Sequence, residues 1–167
     1  MSDPKDVPGL AHFLEHMLFM GTTKYPESND FAKFISQNGG YLNAWTSTIH
    51  TNYFFQINRN NFEPALDRFL HFFTSPLFTE SLMEKEINAV HQEHEKNLKS
   101  DAWRLYQFDK FTSNQNHPYS KFGTGNKDTL EKIPNEKNIS VRDELVKFHS
   151  TYYSSNIMTL AVIGNGI

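Results

Sequence analysis

Apolar residues recur along this chain with two different periods, and the changes of period mark its elements. From Leu10 to Met20 almost every residue is apolar, interrupted only by His12, Glu15 and His16. A helix apolar all round is a buried helix, and Gly21 can end it in a left-handed conformation. Ser28 is placed to cap a second helix with Phe31, Phe34 and Ile35 at helical spacing, stopping at Asn38-Gly39-Gly40. The period then drops to two. Tyr41 to Thr48 and Thr51 to Asn58 are rich in aromatic and β-branched residues and predict two strands joined by a short turn. Asn61 begins a third helix whose stripe is Phe62, Ala65, Leu66, Phe69, Leu70 and Phe73, broken by Pro76.

Ser81-Leu-Met-Glu84 reads as a capping box opening a long helix to about Asn97. A further helix is expected from Asp101 to about Phe111. Thr112 to Pro134, rich in Gly, Asn, Ser and Pro, predicts a long ordered loop. Its Phe122-Gly-Thr-Gly-Asn126 has neither the leading strand nor the following Lys-Ser/Thr of a phosphate loop. Ser140 caps a last helix with Leu145, Phe148 and Tyr152, and Asn156 to Ile163 predicts a closing apolar strand. The whole, residues 1–167, reads as one α+β unit with helices on one face of a mostly antiparallel sheet.

Composition narrows the chemistry. At 167 residues the chain can bury a core, and 15 Phe with 7 Tyr supply one. A net charge of −3 without a Lys/Arg cluster speaks against nucleic acid. The absence of Cys excludes thiolate metal sites, so any metal must take His and carboxylate ligands. No apolar run is long enough for a membrane span, and the first residues lack a signal-peptide core. With no cysteines either, a cytoplasmic location is expected.

The interruptions in the first helix carry the sharpest signal. His12 and His16, four residues apart, project from one helical face and can reach one metal ion. Glu15 beside them is free to act on a water, so the pentapeptide has the inverted order His-x-x-Glu-His of a zinc-protease motif. Three polar groups in a buried helix are costly unless something satisfies them, and a metal with its supporting groups would do so. A catalytic zinc takes a third protein ligand. Glu84, Glu86, His91, Glu93, His94 and Glu95 on the long helix all qualify by spacing, and a solvated acidic face is the plain alternative. Glu86 and Glu93 lie two turns apart on nearly one face, so one could bind metal while the other orients a histidine.

The pentapeptide together with Glu86-Ile-Asn-Ala-Val-His-Gln-Glu93-His-Glu-Lys-Asn resembles the pitrilysin family of zinc metallopeptidases. The resemblance extends through Gly21-Thr-Thr-Lys-Tyr-Pro26, Asn43-Ala-Trp-Thr46, His50-Thr-Asn-Tyr53, Asp101-Ala-Trp-Arg-Leu105 and Lys121-Phe-Gly-Thr-Gly-Asn-Lys127. It implies one Zn2+ held by His12, His16 and Glu93, Glu15 as general base and Glu86 as the acid behind a zinc ligand. It also implies that the strand carrying Asn43, Ala44, Trp45 and Thr46 receives a peptide as an added β-strand. There Asn43 holds substrate backbone and Trp45 lines a subsite where relatives often have Phe.

The implied activity is hydrolysis of short or unfolded peptides by water activated at the zinc. Family members are several times longer, with a second half that closes a chamber and supplies Tyr and Arg groups. This chain is therefore expected to be an incomplete first domain, working with a C-terminal half or a companion chain. The alternatives are an inactive fragment, a non-catalytic peptide-binding or structural family member, or a structural metal site. Intact motif positions favour the enzyme over a non-catalytic member, and three evident ligands rather than four argue against structural zinc.

Overall fold

The computed structural model describes residues 2–164, in the order α1 (Leu10–Leu18), α2 (Asp30–Gln37), β1 (Tyr41–Thr46), β2 (Thr51–Gln56), α3 (Phe62–Thr74), α4 (Glu80–Asn97), α5 (Asp101–Thr112), α6 (Ile133–Glu136) and α7 (Val141–Tyr152). α1 lies at the centre. It packs against α4, α7 and both strands, with Leu10, Phe13, Leu14, Met17 and Leu18 fully buried. No helix among the described residues is long and apolar enough to cross a membrane.

The first N–H groups of α1 are satisfied from outside the helix. Gly9 enters with φ 92, and the buried Asp3 carboxylate accepts from Gly9 N at 2.7 Å and Ala11 N at 3.1 Å. The sequence pattern holds no sign of this cap, because Asp3 stands seven residues before the first residue of the helix rather than beside it. Asp3→Ala is expected to destabilise the chain by about 1–2 kcal/mol, read as a lower urea midpoint. An unchanged midpoint would mean water serves those donors equally well.

α2 ends as its glycines require: Gly39 N donates to Ser36 O and Gly40 N to Ile35 O, with Gly39 at φ 68. Its N-cap is Asn29 in a left-handed conformation, not Ser28. β1 and β2 form an antiparallel ribbon in the register Tyr41↔Gln56 to Thr46↔Thr51. The strands are shorter than expected because residues 47–50 close the turn, with Ser47 N donating to His50 O. Leu42, Tyr53 and Phe55 face the helices, whereas Tyr41, Asn43, Trp45 and Phe54 face outward. The α+β arrangement, with helices on one face of an antiparallel sheet, is therefore present.

Several expectations need correction. The α3 stripe is rotated: Phe72 is buried with Ala65 and Phe69, while Leu70 is exposed. Phe72 meets Phe19, Phe31 and Phe69 edge-on or tilted, a cluster that outbids the position next to it. Ser81 caps nothing, since α4 already begins at Glu80 after Thr79. The loop from Thr112 to Pro134 contains a 3-10 turn at Pro118–Ser120 and a wide helical turn at Asp128–Lys132 leading into α6. Ser140 does cap α7, accepting from Asp143 N. Asn156 to Ile163 is not a strand; a 3-10 turn at Ser155–Ile157 precedes exposed chain. Apolar alternation makes a strand only against a partner, and among the described residues the sole ladder is β1–β2.

Candidate metal centre

Helical geometry places His12 and His16 side by side on the partly open face of α1, their rings perpendicular at 4.9 Å. α4 crosses this face. Its inward stripe of Met83, Glu86, Ile87 and Val90 continues to Glu93, so burying the apolar members carries both acids to the histidines. One Glu93 oxygen lies 3.5 Å from His12 Nε2 and 3.7 Å from His16 Nε2. Among the described residues this trio is the one group of three side chains able to hold a metal ion. Of the other α4 residues, Glu84 and Glu95 are exposed and His94 stands edge-on to Phe122 at 5.3 Å.

The remaining ring nitrogens fix the tautomers. His12 Nδ1–H donates to the Thr124 carbonyl at 2.7 Å, and His16 Nδ1–H donates to Glu86 Oε2 at 3.3 Å. With Nδ1 of each ring facing an acceptor, Nε2 is the atom turned towards Glu93 and the one that would ligate a metal once the ring is deprotonated there. Ligands about 2.0–2.1 Å from a tetrahedral zinc stand roughly 3.3 Å apart, close to the 3.5 and 3.7 Å that separate the Glu93 oxygen from the two histidine nitrogens. The donor set thus fits zinc: two imidazole nitrogens and a carboxylate, with no thiolate.

Burial opposes a charge on His16, but Glu86 and Glu93 beside it override that cost and push its pKa up to about 9. The His16 contact in turn holds the Glu93 carboxyl below the usual range, against burial. Glu15, 8% exposed, is the contrasting acid. Burial pushes its pKa up, against the Thr46 hydrogen bond and the nearby histidines. Thr46 Oγ1 donates to Glu15 Oε2 at 2.5 Å. Glu15 therefore stands beside the trio without belonging to it.

On β1, Asn43 and Trp45 turn outward and Ala44 and Thr46 inward. Asn43 Oδ1 accepts from the Ala44 N–H at 2.9 Å, and Trp45 meets His50 edge-on at 4.7 Å.

Thr124 escaped sequence reading because it acts through its carbonyl, which leaves no mark in the side-chain pattern. The glycines around it explain the Phe122–Asn126 motif instead. A Cβ on Gly9 would sit 2.3 Å from Gly125 Cα, and both residues have positive φ, so this close backbone approach seats Thr124 against His12. Gly9→Ala is expected to cost at least ~1–3 kcal/mol and to weaken zinc binding by displacing that carbonyl. Gly39→Ala, equally left-handed but with open space around it, should lower stability without touching zinc affinity. Thermal unfolding and chelator competition on the two variants check this; equal zinc affinities would disconnect the glycine contact from the site.

The family described as "Insulinase (Peptidase family M16)" matches residues 1–115. The chain is 57% identical over 164 residues to insulin-degrading enzyme of Bos taurus, covering 98% of this chain and 16% of that protein. It is 52% identical over 162 residues to the A-factor-processing enzyme of Saccharomyces cerevisiae, covering 97% and 16% respectively. Among solved structures, pitrilysin superposes with a TM-score of 0.87 at 35% identity, over 93% of this chain and 16% of that one. The chain thus spans about one-sixth of the length of these relatives.

Proposed function

The chain belongs to the insulinase family of peptidases, M16, and from that membership we propose that it carries the zinc-holding part of a metalloendopeptidase acting on short or unfolded peptides. The observation that supports this most is a buried carboxylate, Glu15, beside a trio of metal-ligand atoms to which it does not belong. His12 and His16 would hold the zinc through Nε2 and Glu93 through a carboxylate oxygen. Bound zinc supplies Lewis acidity towards a water and the scissile carbonyl. Glu15 takes the proton from the attacking water, keeps it on its carboxyl and delivers it to the leaving amine. Glu86 acts through His16, holding the ring in the tautomer that turns Nε2 to the metal.

The substrate reading follows from β1. A peptide laid along this strand would gain main-chain hydrogen bonds and tolerate varied side chains. The Ala44 N–H, occupied by the Asn43 side chain, is a donor such a peptide could take over, with Asn43 then free to hold it. Trp45 on the outward face would line a subsite, while Thr46, its hydroxyl committed to Glu15, offers main chain only. Closure over the peptide falls to a C-terminal half or a companion chain.

Zinc content of the purified chain is expected at one ion per chain. Combined with a C-terminal half or companion chain, the protein is expected to cleave an unstructured quenched-fluorescent peptide, to stop on chelation and to resume with stoichiometric zinc. Cleavage indifferent to chelators, or a folded chain that takes up no zinc, would defeat the proposal.

A further inference from the structure

A chain of hydroxyls runs from Glu15 into the fold, and neither the motif nor the metal trio accounts for it. Thr46 Oγ1 donates to Glu15 Oε2, and its own oxygen lies 3.1 Å from Thr51 Oγ1. A hydroxyl has one proton; with Thr46 giving its proton to the carboxylate, Thr51 must donate to Thr46. Further into the fold, the Tyr153 hydroxyl pairs with that of Tyr53 at 2.8 Å. We propose that Thr46, backed by Thr51, is the positioning residue that fixes the Glu15 carboxylate for proton transfer.

The inference rests on the reading of Glu15 as proton acceptor. Its own support is geometric. Thr46 and Thr51 are partners in the last rung of the ribbon before the 47–50 turn, so the ladder sets where both hydroxyls sit. Thr is also stiff about χ1, which suits a residue that must aim one bond. Glu15 is buried, and among the described residues the Thr46 hydroxyl is the side-chain donor that reaches it. The contact spans 31 positions and joins the ribbon to α1, so the strand that would receive substrate also aims the base. A carboxylate displaced by even ~1 Å from a reacting water loses on the order of 10²-fold in rate.

The test uses the zinc-loaded protein combined with its C-terminal half or companion chain. Thr46→Val keeps the side-chain shape and removes the hydroxyl. We expect kcat to fall roughly tenfold or more with KM and zinc content unchanged, and Thr46→Ser to restore most of it. In the Glu15→Gln background Thr46→Val should cost nothing further. In the crystal structure of Thr46→Val the Glu15 carboxylate should leave its place beside residue 46. Should that variant not fold, Thr51→Val reads the same contact one hydroxyl further back, with a smaller loss of kcat. Wild-type kcat in Thr46→Val, no rescue by Ser, a multiplied loss on Glu15→Gln, or an unmoved carboxylate would each overturn the inference. Full turnover by Glu15→Gln itself would instead fell the base assignment, and this inference with it.

Discussion

Glu15→Gln is expected to keep one zinc per chain and to lose peptide turnover by at least ~10²-fold. The substitution preserves the shape of the side chain, and its amide oxygen can still accept from Thr46 Oγ1. What disappears is a group able to take a proton. Zinc retention is expected from geometry, since the three side chains able to hold a metal ion are His12, His16 and Glu93, without Glu15. The sign of the stability effect can also be worked out. Burial raises the Glu15 pKa in the folded metal-free chain, so its favourable contribution exists only at low pH, where it is protonated. That contribution is lost as pH rises through the folded pKa, and at pH 7 the buried charge is a cost that Gln removes. The metal-free variant should therefore unfold no lower than the parent at neutral pH. Steady-state kinetics with metal analysis decides the matter: unchanged turnover would remove Glu15 from the proton-transfer role, and lost zinc would make it a ligand.

The second large effect is a contrast between neighbours. Glu93→Gln is expected to weaken zinc binding by at least ~10²-fold, whereas His94→Gln leaves it unchanged. An amide is a far poorer zinc ligand than a carboxylate, and it cannot balance the charge that His16 or a metal brings. Glu93 faces both histidine Nε2 atoms, while His94, a hundred degrees further round the helix, rests against Phe122. Competition against a chromophoric chelator measures both variants. Equal losses would leave Glu93 without support as a ligand.

His94 also marks where sequence reasoning reached its limit. Spacing left Glu84, Glu86, His91, Glu93, His94 and Glu95 open, and only family resemblance singled out Glu93. In the fold the apolar stripe Met83, Ile87 and Val90, buried against α1, turns Glu86 and Glu93 inward and leaves Glu84 and Glu95 in solvent. Thr46 is a comparable case. Resemblance placed it with the substrate strand, yet its hydroxyl is spent on Glu15. The aromatic residues of α5 make the same point in reverse. Trp103, Phe108 and Phe111 are exposed, while Lys110 is buried with its amine over the Tyr106 and Tyr119 rings. No periodicity argument foretells that inversion.

The sequence by itself determined what depends on near neighbours. The pairing of His12 with His16 on one helical face, the glycine stop of α2, the alternating ribbon and the Ser140 cap are settled within a few residues by helical or strand geometry. Only the tertiary structure decided which groups meet across the chain. Asp3 on the head of α1, the Thr124 carbonyl behind His12, Glu86 behind His16, Thr46 on Glu15, and Phe72 rather than Leu70 in the core belong to this class. The reason is physical: hydrogen bonds and packing between distant segments depend on how whole faces are buried together, and local periodicity carries no information about the partner. The stretch from Asn156 to Ile163 shows the same limit, with a strand's composition but no strand beside it among the described residues.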